Sequence, residues 1–175
     1  MPGFTIHTII AKEYIKKHPN EIRCEKEFIN GTIAPDLTTD KNKTHYGIWE
    51  RMIVITNLDK MLEDPKVDIT NDYWKGYFLH LYVDNQFYNN YFKVEWDEVV
   101  KNDDRLFHDY DILNKNLIAD YDIIIDDYPE EIRKYMRPLD SIEKPKYIDY
   151  AKLKNMIKEL SEINIDDEVL KFTSH

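Results

Sequence analysis

Glycine is scarce in this sequence, with 4 in 175 residues, while helix-forming residues are plentiful throughout. That balance points to a mainly α-helical fold. A single cysteine, Cys24, excludes an intrachain disulfide. Apolar runs are short: Met52-Ile53-Val54-Ile55 is among the longest, far below the roughly 20 residues a helix needs to cross a bilayer. Stable membrane insertion is therefore not expected. Positive charge is also in deficit, since 24 Lys and Arg against 34 Asp and Glu leave a net charge of −10 with the signs interleaved. A protein that grips a nucleic-acid backbone does so by neutralising phosphates with a basic surface, so no nucleic-acid partner is expected. A small phosphate-bearing substrate stays open, because a bound metal ion can be the largest local charge in a site. The opening Met1-Pro2-Gly3-Phe4-Thr5 lacks the charged and apolar regions of a signal peptide, and the expected location is cytoplasmic.

What is present suffices for a core. Hydrophobic residues make up 42% and aromatics 13%, and the length fits a single domain spanning residues 1–175. The segment from Pro138 to Pro145 is the one short candidate hinge. Ile6, Ile9, Ile10, Tyr14 and Ile15, set against Lys12, Glu13, Lys16 and Lys17, predict an amphipathic helix from about Ile6 to Lys17. Pro19 stops it. Asn20 is positioned to cap a second helix from Glu21 to about Asn30, closed by Gly31. A polar loop follows from Asp36 to Thr44. Met52 to Ile55 reads as a short strand, and Asn57 caps a short helix ending before Pro65. Asn71 or Asp72 starts a long aromatic helix reaching about Phe92. Further helices are predicted over about Asp109 to Asp120, Glu130 to Met136 after Pro129, and Ile148 to Ile163.

The chemistry concentrates on His80 and Asp84. They stand four apart in Tyr77-Phe78-Leu79-His80-Leu81-Tyr82-Val83-Asp84, so on a helix they share one face. A His and an Asp so spaced are more often a surface pair or a satisfied core hydrogen bond than metal ligands. The flanks here are too apolar for a solvated face, and a buried carboxylate needs a charged or hydrogen-bonding partner, which an Arg or a divalent cation would supply. Three upstream residues could complete a site: His7, Asp36 and His45. Taken singly, each has a plainer reading: a core histidine, a turn-forming Asp after Pro35, and an exposed loop histidine. Nitrogen and oxygen donors without thiolate suit zinc or another first-row divalent metal. His18 and His175 read as structural, at a helix C-terminus and at the chain end. His108 and Asp109 remain candidates for a second ligand set, with an exposed linker as the alternative.

These segments resemble the zinc-dependent phospholipase C family, whose α-helical fold is shared with the fungal single-strand nucleases of the P1 type, and its small bacterial members in particular. The resemblance rests on Phe4-Thr5-Ile6-His7, Ala34-Pro35-Asp36, Thr44-His45-Tyr46-Gly47 and Leu79-His80-Leu81-Tyr82-Val83-Asp84, and covers about the first half of the chain. Phe87-Tyr88-Asn89-Asn90-Tyr91-Phe92 and Asp109-Tyr110…Leu113-Asn114 fit the same pattern. It implies that Asp36, His45, His80 and Asp84 hold one zinc, and that Asp84 bridges to another shared with His7 and the amino terminus. Two departures stand out. This chain starts Met1-Pro2 where the secreted enzymes present a processed Trp amine. It also has no second His-x-x-x-acid motif, because Ile112 lies four residues after His108. A third zinc site is therefore absent or rebuilt.

The expected activity is a metal-dependent phosphoesterase acting on a small soluble substrate. His7, Asp36, His45, His80 and Asp84 would be the ligands of one or two zinc ions, with Asp36 also the catalytic residue that orients or deprotonates water. Tyr77, Tyr88 and Tyr91 would wall a pocket for the rest of the substrate. Two alternatives stay open. One is an HD-superfamily phosphohydrolase, for which His108-Asp109 is the one adjacent His-Asp pair. The other is a non-catalytic zinc-binding or interaction protein that keeps a partial site.

Overall fold

The computed structural model describes residues 3–50, 53–92 and 103–174, and Met52 and His175 lie outside them. The architecture is mainly α-helical, as the sequence predicts. Helix α1 spans Phe4–Lys17 and is more deeply set than an amphipathic helix, with Phe4 through Ala11 buried without a break and only its last turns facing water. It packs against five other helices, which explains why threonines and a histidine lie on its inward surface.

Helix α2, Glu25–Ile33, starts four residues later than Glu21, and Asn20 is not its cap. The reason lies in a distant carboxylate. Asp72 accepts hydrogen bonds from the Arg23 and Cys24 backbone N–H groups at 2.9 and 2.6 Å, satisfying donors that the chain would otherwise leave orphaned ahead of the helix. Glu21 is instead engaged by the Tyr14 hydroxyl, which donates to it at 2.6 Å. Gly31 does not close α2 either; it lies within the helix, where α2 crosses α5.

Helix α5 covers Asp72–Gln86, begun by Asn71, whose side chain accepts from the Tyr73 N–H at 2.8 Å. At the crossing a Cβ on Gly31 would stand 1.9 Å from the Tyr73 carbonyl oxygen, and a Cβ on Gly76 would stand 2.0 Å from that of Phe28. Half of the chain's glycine is thus spent on letting two helix backbones touch. From Gly76 to Asp84 every residue of α5 is buried. Past Gln86 the helix loosens into a π-helical turn, Phe87–Tyr91, before the predicted stop near Phe92.

Between α2 and α5 the predicted loop is more ordered than expected. A 3-10 turn, Ala34–Leu37, leads to a single-turn helix α3, Lys41–Thr44, capped by Asp40. A two-stranded antiparallel hairpin follows, β1 Ile48–Glu50 paired with β2 Ile53–Ile55. Helix α4, Leu58–Leu62, begins at the Asn57 cap as predicted, with Asn57 accepting from the Lys60 N–H at 2.9 Å.

The second half supplies cover for α1. Helix α6, Asp103–Asp120, starts six residues before the predicted Asp109, while α7, Glu130–Met136, matches its prediction. Helix α8, Tyr150–Leu160, ends at Ser161, short of Ile163. Asn164 then caps a helix that was not predicted, α9, Ile165–Thr173. Buried Asp109 secures the stretch before α8, accepting from the backbone N–H groups of Lys146, Tyr147 and Ile148 at 2.9, 2.6 and 3.3 Å. The core draws on every helix but α3, and Tyr14, Phe28, Phe78 and Phe87 are among its largest fully buried side chains. Among the described residues no helix is long and apolar enough to cross a membrane.

Candidate metal centre

Five side chains from four segments meet where α1 crosses the middle of α5. Helix α1 contributes His7, the 3-10 turn Asp36, the C-cap of α3 His45, and α5 both His80 and Asp84. His7 Nε2 lies 3.2 Å from one Asp84 oxygen, while His45 Nε2 and His80 Nε2 lie 3.2 and 3.6 Å from the other. Asp36 closes the ring, with its oxygens 3.6 Å from His45 Nε2 and 3.9 Å from His80 Nε2. The His7 and His80 rings stack with centroids 3.8 Å apart. Two overlapping triads, His7/His80/Asp84 and Asp36/His45/His80, each bring their donor atoms within 4.8 Å of one another. All five side chains are buried, which overturns the exposed-loop reading of His45.

The outer nitrogens show which way the imidazoles present themselves. His80 Nδ1 is 2.7 Å from the Thr32 carbonyl and His45 Nδ1 is 3.0 Å from the Lys41 carbonyl. A carbonyl can only accept, so both Nδ1 atoms carry the proton and both Nε2 lone pairs turn inward. That is how a protein prepares histidine for a metal, with the second nitrogen anchored on a backbone acceptor. The two inward lone pairs stand 3.3 Å apart. Such a face-to-face pair needs a positive charge between, either a proton or a cation.

The carboxylates point the same way. Asp84 is almost wholly buried, yet neither of its oxygens accepts a hydrogen bond from the described residues. The imidazoles approach closely but not along hydrogen-bond directions. A buried carboxylate without donors is costly. Burial raises the pKa of Asp84, but the charge on His80 and its contacts with His45 and His7 override burial and hold it well below the usual carboxylate range. Burial likewise opposes charge on His80, but Asp84 and Asp36 prevail and its pKa is raised. His7, enclosed and next to His80, is pushed down to about 4 and is neutral near pH 7. These donors fit a divalent cation: three imidazole nitrogens and two carboxylates, with no sulfur.

Several contributors escaped sequence reasoning. Lys41 sets its ammonium 2.5 Å from an Asp36 oxygen, and burial of Asp36 is offset by the charges of His80 and Lys41, so that its pKa is lowered. Tyr46 adopts a left-handed backbone with φ of 52°, a conformation that costs a bulky residue about 1–3 kcal/mol. It turns the chain out of α3 directly after His45, and its hydroxyl donates to Asp64 at 3.0 Å. No sequence signal marks it, because a left-handed backbone ordinarily favours glycine and Tyr46 has a full side chain. Tyr110 on α6 lies against Gly3 one turn before His7, and its ring is tilted 58° to that of Phe87, one turn after Asp84, with centroids 6.3 Å apart. Its hydroxyl is buried without a hydrogen-bond partner among the described residues, and burial together with the Asp84 and Asp36 charges raises its pKa.

Other expectations fail. His108 pairs at the surface with Glu143 at 3.1 Å, and Asp109 is consumed by backbone N–H groups, so the adjacent pair forms no second ligand set. Of the three tyrosines expected to line a pocket, Tyr77 and Tyr91 have hydroxyls held by different segments. Tyr77 donates to the Thr44 carbonyl beside the metal centre, whereas Tyr91 donates to Glu159 on α8. His18 is structural as predicted, stacked on Tyr14 and paired with Glu21. No family model, no curated protein and no solved structure matches the chain.

Proposed function

We propose that the protein is a zinc-dependent phosphoesterase of the phospholipase C/P1 nuclease type. The observation that carries this reading is the meeting of His7, Asp36, His45, His80 and Asp84 around inward-facing lone pairs. A divalent cation bound there supplies Lewis acidity, polarising phosphoryl oxygens and bringing the pKa of water toward neutrality. Asp36, His45, His80 and Asp84 form the fuller set, since His80 has one inward lone pair and can serve one ion. His7 and the far oxygen of Asp84 remain for a second. Asp36 is the ligand nearest solvent and the carboxylate best placed to orient water and accept its proton. The backbone carbonyls of Thr32 and Lys41 hold the imidazoles against rotation while the charges change.

One observation favours a second reading, a non-catalytic zinc site that secures the fold. His7, His45, His80 and Asp84 are each at most 1% exposed, and structural sites are typically closed whereas catalytic sites keep an open position. Elemental analysis of protein purified without added metal, followed by assays on generic phosphodiester and phosphomonoester substrates, separates the two. Retained zinc with turnover lost in His80→Ala supports the enzyme. Retained zinc without turnover on a broad panel supports the structural site. Absence of bound metal, with no uptake on zinc addition, overturns both. In His80→Ala, zinc affinity should fall about a hundredfold or more.

A further inference from the structure

We propose that Lys41 is a substrate-positioning residue, its ammonium receiving an anionic phosphoryl oxygen at the edge of the metal centre where it is itself partly exposed. The inference rests on the phosphoesterase reading and deepens it. The geometry first fixes the direction of approach. Among the described residues the five donor side chains are all but sealed, Asp36 included at 2%, whereas the Lys41 side chain that touches Asp36 is 17% exposed. A molecule reaching the centre from solution along this edge passes the Lys41 ammonium.

Charge makes the same point. One divalent ion neutralises the Asp36 and Asp84 carboxylates and leaves the centre without attraction for a further anion. The molecule around it carries a net charge of −10, which disfavours an approaching phosphate. Lys41 restores a positive charge where it is needed. Its ammonium lies 2.5 Å from the Asp36 oxygen that also stands 3.6 Å from His45 Nε2, and Asp36 turns its other oxygen to His80 at 3.9 Å. Lys41 and the imidazoles thus share the Asp36 carboxylate, so the ammonium and a cation on the ligands would both border it. A phosphoryl group next to that carboxylate can be reached by both.

Local structure places the lysine. Lys41 opens α3, and the same residue's carbonyl accepts from His45 Nδ1 at 3.0 Å. Asp40 caps this single turn, its carboxylate receiving the Lys43 N–H. One residue thus sets the orientation of a ligand through its backbone and offers a cation through its side chain. The side chain can be exchanged while the backbone contact stays.

The test is binding of inorganic phosphate, measured by calorimetry on protein loaded with stoichiometric zinc and freed of excess metal, for the natural chain, Lys41→Gln and Lys41→Arg. Phosphate affinity is expected to fall at least tenfold in Lys41→Gln with zinc content unchanged, and to recover in part in Lys41→Arg. On any phosphoester that is turned over, Lys41→Gln should raise KM more than it lowers kcat. Equal phosphate affinity in the natural chain and Lys41→Gln overturns the role of Lys41 and leaves the phosphoesterase reading standing. So does a Lys41→Gln defect that vanishes once zinc content is restored, since the lysine would then act only by supporting Asp36. Failure of the zinc-loaded natural chain to bind phosphate overturns both.

Discussion

At the residue scale, Asp84 concentrates the physics of the centre. Three imidazole nitrogens lie within 3.2–3.6 Å of its oxygens, yet no donor is aimed along a hydrogen bond to either. The fold holds the Asp84 pKa well below the usual carboxylate range, so its charge stabilises the folded state near pH 7 and that contribution is lost as pH falls. Asp84→Asn is therefore expected to lower the thermal midpoint of the metal-free protein at neutral pH. The same substitution should abolish the rise in midpoint that zinc produces, which mass action puts at about 4 kcal/mol when free zinc is a thousand times its Kd. Thermal denaturation of both forms with zinc and with a chelator checks the two signs together. An unchanged or higher metal-free midpoint would mean that the cost of burying the carboxylate outweighs its contacts with the imidazoles. Residue type and order were enough to single out five side chains that the fold brings together, because imidazole and carboxylate are recognisable in the sequence itself. What sequence could not carry was the approach of Lys41 to Asp36, or the Thr32 carbonyl beneath His80 48 positions away.

At the scale of elements, the crossing of α2 and α5 decides where the donor side chains sit. Gly31 precedes Thr32, whose carbonyl anchors His80, and Gly76 lies one turn before His80. Gly76→Ala would raise intrinsic helix propensity by about 1 kcal/mol. Its methyl would nonetheless fall 2.0 Å from the Phe28 carbonyl oxygen, where backbone must move. The net effect is expected to be destabilisation by about 3 kcal/mol, with weakened zinc retention as α2 and its Thr32 carbonyl shift. Denaturant titration and zinc content of the variant measure both, and a stabilised variant would contradict so close an approach. This crossing also explains what helix reading missed. A glycine near the end of a predicted helix normally marks its close, and nothing local distinguishes Gly31 from such a stop. Where the signal is local the reading succeeded, as at Pro129 before α7 and at the Asn57 and Asn71 caps. It failed at α2, whose start is governed by the Asp72 carboxylate 48 residues away from Cys24.

At the scale of the whole molecule, the centre depends on parts of the chain that hold no ligand. Asp109 ties α6 to the stretch ahead of α8 through three backbone N–H groups, with Arg105 Nε 3.4 Å from its carboxylate. Asp109→Ala would strand those donors in the interior and is expected to cost about 3 kcal/mol or more. Limited proteolysis should then cut first within residues 137–149, and global unfolding should shift with it. An unchanged digestion pattern would show that the stretch is secured by its apolar contacts instead.

The deep setting of α1 bears on how the protein is made. All five donors lie within the first 84 residues and leave the ribosome early. The helix carrying His7, however, finishes its packing on α7 and α8, and the Tyr14 hydroxyl accepts the Ile165 N–H at 3.4 Å. Lys17 reaches the Ser161 hydroxyl at 2.7 Å from the same helix. A nascent chain can thus display all five donor groups long before it owns the vise that aligns them, so durable capture of an ion there would wait until the segment reaching Ile165 has folded.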